Sequence, residues 1–442
     1  MSISTLNPEN IIKKMGFSTL NEVQTAAISA AKSNATVQLV APTGSGKTLA
    51  FCLAALQSIS DERGIQCLII APTRELVIQI ESVLKAMKLG VKVNAAYGGH
   101  GFAIERKNFT DPPTFLVGTP GRLEDHLNRK TFSPDTITHV IFDEYDKSLE
   151  FGFEAEMTSI MKRLKFLERL TLVSATSDID IPKFLNLKDL KKVDFSGHEQ
   201  KNKTTYQKLI VAEGEKLEGL VAVLSALKKD QNAIVFVNHR DAADRIGDYF
   251  RRLGVKFSVF HGGLMQDKRE LELIKFRNGS TNVLIATDIA GRGIDIPELN
   301  YVIHYQIPTT EATYVHRNGR TARVEASGNV VLLMTDGDKY PDFVDRKIPV
   351  FKIDEEATIP QPKWTTLFIG KGKKDKINKM DLVGYFTKFS FVEKHHLGLI
   401  EVLDFVAYIA VSSDKVDQLL KNGNKAKIKG KTVKVERVNV NK

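Results

Sequence analysis

Short, almost wholly apolar runs recur along the first two hundred residues, with longer helix-like stretches between them. They are V-Q-L-V-A (37–41), C-L-I-I-A (67–71), K-V-N-A-A-Y (92–97), T-F-L-V-G (114–118), H-V-I-F-D (139–143) and L-T-L-V-S (170–174). Runs this short, without polar alternation, predict parallel strands covered on both faces. Helical segments between several of them predict βαβ units and a doubly wound sheet. The pattern then restarts with A-I-V-F-V (233–237), F-S-V-F-H (257–261), N-V-L-I-A (282–286), Y-V-I-H-Y (301–305) and N-V-V-L-L (329–333). Polar G-H-E-Q-K-N-K-T (197–204) separates the two sets as a linker. A second linker, D-E-E-A-T-I-P-Q-P-K (354–363), carries two prolines and an acidic run. Beyond it the order reads β-α-β-β-α-β, the split βαβ of a ferredoxin-like domain. The expected architecture is two tandem parallel-sheet α/β domains, 1–200 and 205–350, followed by an α+β domain over 364–442.

Composition agrees with this division and narrows the setting. The 442 residues suit two or three domains, and a hydrophobic fraction of 42% is ample for their cores. No apolar run approaches the roughly 20 residues that span a bilayer. The opening M-S-I-S-T-L-N-P-E-N has neither the basic nor the apolar region of a signal peptide. Two cysteines, Cys52 and Cys67, are too few for a disulfide framework and lack the spacing of a zinc site. A cytoplasmic chain without a membrane partner is expected. Charge then picks out one end. Residues 363–442 hold 17 Lys and Arg against 8 Asp and Glu, which is most of the chain's net +10. A basic terminal domain on a nearly neutral body points to an anionic partner, or else to a solubility tail.

The strand V-Q-L-V leads into A-P-T-G-S-G-K-T (41–48). Glycines at 44 and 46 permit a tight loop whose backbone N–H groups surround phosphates, and a helix N-terminus behind it favours negative charge. Lys47 would reach the β and γ phosphates, and the Thr48 hydroxyl would ligate Mg²⁺. That loop changes the meaning of H-V-I-F-D-E-Y-D (139–146). Acids after a strand are usually solvated. With a phosphate loop upstream, Asp143 becomes the acid that holds Mg²⁺, partly through water, and Glu144 the group that orients or deprotonates the attacking water.

At this point the sequence resembles the DEAD-box RNA helicases, over roughly residues 10–340 and in the family's own order of motifs. The resemblance implies that both α/β domains are RecA-like and that ATP and Mg²⁺ are the cofactors. It implies an ATP site of Phe17, Gln24, Thr43, Gly44, Ser45, Gly46, Lys47, Thr48 and Asp295. P-T-R-E-L (72–76), G-G (98–99), T-P-G-R (119–122) and A-T-D-I-A-G-R-G-I-D (286–295) resemble RNA-backbone motifs. They imply RNA contacts from Thr73, Arg74, Gly99, Thr119, Gly121, Arg122, Thr287, Arg292 and Gly293. S-A-T (174–176) and H-R-N-G-R-T-A-R (316–323) resemble coupling and arginine-finger motifs. Ser174, Thr176, Asp146 and His316 would couple hydrolysis to strand separation, and Arg320 and Arg323 would act on the γ-phosphate. The chain departs from the family at three places. Tyr145 stands where the D-E-A-D box has alanine, and Asn318 and Ala322 stand where isoleucine and glycine are usual. Tyr145 is expected to alter the rate rather than the reaction.

Residues 364–442 resemble the RNA-binding domain of DbpA-type DEAD-box proteins, with an RRM-like order of elements. Lys371, Lys373 and Lys374 would bind phosphates. Phe368 and Tyr408 stand near positions where RRM sheets stack bases, though packing is the other reading. The resemblance implies a monomeric, ATP-dependent RNA helicase acting on 23S-type ribosomal RNA in large-subunit assembly. The altered box leaves an ATP-gated RNA clamp as the alternative, and a DNA helicase of the same superfamily as a third reading.

Overall fold

The computed structural model describes residues 6–42, 44–99, 101–175, 181–185, 187, 189–196, 203–288, 296–321, 327–354, 356–423 and 427–439. Seven strands build the first α/β domain: β1 Thr36–Val40, β2 Cys67–Ile70, β3 Val93–Ala96, β4 Phe115–Gly118, β5 His139–Phe142, β6 Arg169–Ser174 and β7 Leu190–Asp194. They lie in the order β3-β4-β2-β5-β6-β1-β7, all parallel. Alternate residues feed two separate cores. Leu39, Ile69, Val117, Ile141 and Val173 face one layer of helices. Leu68, Ile70, Leu116, Val140, Phe142 and Leu172 face the other. Covering on both faces is why these strands read as unbroken apolar runs.

The helices carry their own start signals. Asn21 caps Glu22–Ser33 in a capping box with Gln24. Thr73 caps Arg74–Ala86, whose Leu76, Val77, Ile80 and Leu84 form the buried stripe. Because the strands are parallel, every loop leaving a strand's carboxyl end emerges on one edge of the sheet. That edge gathers residues 41–42, 44–47, 71–74, 118–122, 143–146 and 174–175, as open α/β sheets do at their ligand sites.

The second α/β domain repeats the scheme with β8 Lys203–Val211, β9 Ala233–Phe236, β10 Phe257–Phe260, β11 Val283–Ala286, β12 Tyr301–His304 and β13 Ser327–Thr335. Their order is β10-β11-β9-β12-β13-β8, again all parallel. Sequence reading missed β7 and β8. Both are edge strands, and β7 exposes most of its L-K-K-V-D side chains, so no apolar run marks it.

The C-terminal domain has β14 Trp364–Ile369, β15 Leu397–Val402, β16 Ala407–Ser412, a hairpin of β17 Lys427–Ile428 and β18 Lys431–Thr432, and β19 Val435–Arg437. Its sheet runs β15-β16-β14-β19, antiparallel throughout. Helices Lys379–Phe386 and Val416–Gly423 complete the expected β-α-β-β-α-β order. The chain divides into two compact units, and this domain belongs to the same unit as the second α/β domain. Asn278 Nδ2 donates to Thr366 Oγ1 at 2.9 Å, and Arg277 pairs with Glu401 at 2.8 Å. Trp364 packs against Gly279, where a Cβ would lie 3.0 Å from the indole.

Candidate active site

The phosphate loop leaves β1 through two left-handed residues, Gly44 at φ 85° and Gly46 at φ 83°. Gly46 is constrained twice over. A Cβ there would strain the backbone and would lie 2.9 Å from Gln24 Nε2. Gln24 is thus brought against the loop, and Asn21 Nδ2 bonds Ser45 O at 3.0 Å. Phe17 is largely exposed. Lys47 opens the helix Lys47–Ala55, with Thr48 half-buried behind it. The Lys47 ammonium donates to Ala41 O at 2.5 Å and Pro42 O at 2.9 Å. These are carbonyls of the loop itself. Ser45 Oγ is buried with no hydrogen-bond partner among the described residues. Thr43 lies outside them.

The acids stand at the end of β5. Asp143 N still pairs with Ile70 O at 2.9 Å, so the carboxylate is held by the sheet. Asp143 is 3% exposed. Burial, and next the Glu144 carboxylate, push its carboxyl well above the usual range, against the pull of Lys47. The Lys47 ammonium, at the start of its helix, therefore acts on Asp143 at the end of β5. Glu144 takes the left-handed conformation, φ 47° and ψ 49°, uncommon for a residue with a side chain. Its Oε2 is buried without a hydrogen-bond partner among the described residues. Asp146 is buried, with Lys147 Nζ at 3.8 Å. Tyr145 is 2% exposed, and its hydroxyl accepts from Gln38 Nε2 at 3.0 Å.

A magnesium triphosphate fits this donor set. The Lys47 ammonium acts on the Asp143 carboxylate, while two buried polar atoms, Ser45 Oγ and Glu144 Oε2, have no partner among the described residues.

The motifs that resemble RNA contacts behave less uniformly. The Arg74 guanidinium lies over the Gly98–Gly99 turn, where a Cβ on Gly98 would be 3.1 Å from Nη2. Thr73 spends its hydroxyl on capping, accepting from Leu76 N at 3.3 Å. Thr119 caps Pro120–Asn128 without a side-chain bond, and Gly121 is exposed with open space about it. Arg122 Nε is held by Glu105 Oε2 at 2.6 Å. His126 Nε2 meets the same oxygen at 2.7 Å. Burial alone would raise the Glu105 carboxyl, but bonds from His126, Arg122 and Tyr97 N hold it below the usual range. Glu105 went unnoticed in the sequence, since F-A-I-E-R-K-N looks like a solvated helix. Ser174 ends β6 fully buried, and Thr176 falls outside the described residues.

In the second domain Thr287 follows β11, its N–H on Phe260 O at 3.2 Å. His316 and Arg320 are both buried. Arg317, between them, was not singled out and is fully buried. It bonds Asp288 Oδ1 at 2.6 Å, Gln306 O at 2.8 Å and Asn238 Oδ1 at 2.8 Å. Asn318 meets buried His304 Nε2 at 2.8 Å. Arg292, Gly293, Asp295 and Arg323 lie outside the described residues.

In the C-terminal domain Lys371, Lys373 and Lys374 share the turn after β14. Lys371 approaches Asp375 at 3.3 Å, and Lys374 sits 4.4 Å from the exposed Phe405 ring. Phe368 and Tyr408 face each other across β14 and β16 with ring centroids 5.8 Å apart. Both are half-buried. The sheet face they share with Thr366 and Glu401 is turned onto the second α/β domain, with Glu270 and Asp267 acting on Tyr408.

The DEAD/DEAH box helicase family matches residues 21–184, the helicase conserved C-terminal domain 215–325, and the DbpA RNA binding domain 366–437. An ATP-dependent RNA helicase DbpA of Escherichia coli (strain K12) is 30% identical, over 98% of this chain and 99% of that protein. The protein of the same name in Bacillus subtilis (strain 168) is 29% identical, over 97% and 96%. The chain belongs to the DEAD-box RNA helicases, DbpA type. Among solved structures, S. cerevisiae Dbp5 bound to RNA and ADP BeF3 matches with a TM-score of 0.66 at 26% identity. It covers 75% of this chain and 88% of that one. The helicase is therefore an ATP-hydrolysing, RNA-binding enzyme with two RecA-like domains. Among its described residues no helix is long and apolar enough to cross a membrane.

Proposed function

We propose that this helicase couples hydrolysis of the β–γ phosphoanhydride of ATP to local unwinding of RNA duplexes. Its target would be 23S-type ribosomal RNA during large-subunit assembly, with the chain working as a cytoplasmic monomer without a membrane partner. Lys47 holds the β and γ phosphates, and the loop amides around Gly44, Ser45 and Gly46 surround them. Thr48 and Asp143 would hold magnesium, which neutralises charge on the phosphate oxygens when bound. Glu144 orients the attacking water and takes its proton. Arg320 and Arg323 supply positive charge to the γ-phosphate. Ser174, Thr176, Asp146 and His316 transmit the reaction to RNA held by Arg74, Thr119, Gly121, Thr287, Arg292 and Gly293. Lys371, Lys373 and Lys374 of the C-terminal domain bind the flanking RNA through phosphates.

The observation that carries this reading is the buried Glu144 carboxylate oxygen that has no partner among the described residues, next to an Asp143 that feels Lys47. The test is RNA-stimulated ATP hydrolysis by Glu144→Gln. Turnover equal to the parent would remove Glu144 from the chemistry. A stoichiometric burst without steady turnover in the parent would favour the ATP-gated clamp. Crosslinking bulk ribosomal RNA to the full chain tests the target, and a Lys371/Lys373/Lys374 alanine variant showing the same crosslinks would sink it.

A further inference from the structure

Tyr145 fills the alanine position of the box, and its ring alone does not explain it. The ring lies in the apolar layer with Phe142 and Leu172, a place phenylalanine would fill as well. The hydroxyl is what differs, and it is engaged on two sides. It accepts from Gln38 Nε2 at 3.0 Å, and the Ser174 side chain acts on it as a second polar neighbour. Gln38 is itself an anomaly, a buried amide in the middle of the apolar strand β1. A buried amide is costly unless bonded. The two misplaced polar groups explain one another.

Three strands are linked at this hydroxyl. Gln38 sits in the middle of β1, three residues before the phosphate loop begins. Ser174 is the last residue of β6, paired with Val40, and its carbonyl accepts from Ala41 N at 3.2 Å. Tyr145 is the first residue of the helix after β5, so it fixes the backbone immediately following Glu144. That backbone needs fixing. A non-glycine residue in the left-handed region persists only where its surroundings over-determine it, and Glu144 makes no side-chain cap bond to hold itself.

We propose that Tyr145 is a positioning residue that ties Glu144 to the S-A-T segment, its hydroxyl carrying the placement of Ser174 to the backbone that aims the Glu144 carboxylate. This rests on the roles given above to Glu144 and Ser174. Where the family's alanine offers only a methyl group, this chain has a hydrogen-bonded strut. Movement at Ser174 then reaches Glu144 through one rigid ring.

The test uses the full chain with bulk ribosomal RNA as activator. Two buried polar contacts of hydrogen-bond strength correspond to about a five- to 150-fold change in rate. Tyr145→Phe is expected to lower RNA-saturated kcat by that factor, with KM for ATP changing less than about twofold. Adding Ser174→Ala to Tyr145→Phe should cost much less than Ser174→Ala costs in the parent, because both cut one connection. Tyr145→Phe strands the Gln38 amide, so Gln38→Met/Tyr145→Phe is the companion variant. It keeps the fold by removing both partners, and should remain slow. Parental kcat in Tyr145→Phe, losses that multiply, or recovery of the parental rate in the Gln38→Met pair would each overturn the inference. Glu144→Gln separates the two levels. If it hydrolyses ATP like the parent, the underlying roles fail. If it is inactive while Tyr145→Phe is parental, only the strut fails.

Discussion

The two α/β domains share a frame and use it differently. In the first, the ends of β1 and β5 lead to Lys47, Asp143 and Glu144, the set proposed above to hold a phosphate–metal complex. In the second, the residues after β9 and β11, Asn238 and Asp288, are spent on one buried cation, Arg317. Both sheets also bury a histidine on a central strand. His139 on β5 bonds Ser58 Oγ and Thr171 Oγ1 at 2.9 and 3.0 Å, and His304 on β12 bonds Asn318 Oδ1 at 2.8 Å. The lesson is that a parallel sheet supplies positions, and loop residues decide what is done there.

The comparison breaks most sharply if the first domain's acids are not chemical. Glu144→Gln should lower RNA-stimulated kcat by about 10²–10⁴-fold, the scale of a general base. Steady-state ATPase assays at saturating RNA read this. Next in size is the second domain's buried cation. Arg317→Met leaves Asp288 and Asn238 facing an apolar chain, and should destabilise that domain by about 3–5 kcal/mol. Urea unfolding followed domain by domain would show it, and an unmoved second transition would make the network ornamental. Gly46→Ala tests the crowding against Gln24. Backbone strain of about 1–2 kcal/mol should raise the ATP KM by roughly tenfold without unfolding the first domain. An unchanged KM would show that the loop relaxes freely.

The histidines sharpen what the domains share. Burial, then Arg169 beside His139 and Arg317 beside His304, hold both at about 3, far below the ordinary value. The unfolded chain therefore binds more protons than the folded one between pH 3 and 6.5. The stability from keeping them neutral is present above pH 6.5 and is lost as pH falls through that window. Going from pH 7 to 5 should remove about 2 kcal/mol from each domain. A flat profile in denaturant titrations would contradict this. The smallest effect is on the basic turn, where Lys374→Ala should reduce the salt slope of RNA binding by about one.

Much of this frame was legible in the chain, for a physical reason. A strand buried on both faces must be apolar throughout, so ten or more short runs announced both sheets. Only the half-exposed edge strands β7 and β8 escaped. The phosphate loop was equally legible, because left-handed backbone at Gly44 and Gly46 demands glycine in a local pattern. The acids of β5 gained meaning only from that loop. Glu105, Gln38 and Arg317 were not legible, since each takes its importance from a partner distant in sequence, 17, 107 and 79 residues away respectively. The two described departures from the family show the same limit. Tyr145 and Asn318 each looked like an intrusion, and each turns out to bond a buried polar group on a neighbouring strand.

What the sequence determined by itself was therefore local: strand and helix periods, the phosphate loop, the order of motifs and the basic C-terminal end. Tertiary structure alone decided which charges are spent. It gave Arg122 to Glu105, turned the sheet face of Phe368 and Tyr408 onto the second domain, and left Glu144 with a carboxylate oxygen unpaired among the described residues. Hydrogen bonds and ion pairs depend on separations of about 3 Å, and only the packing of distant strands sets those.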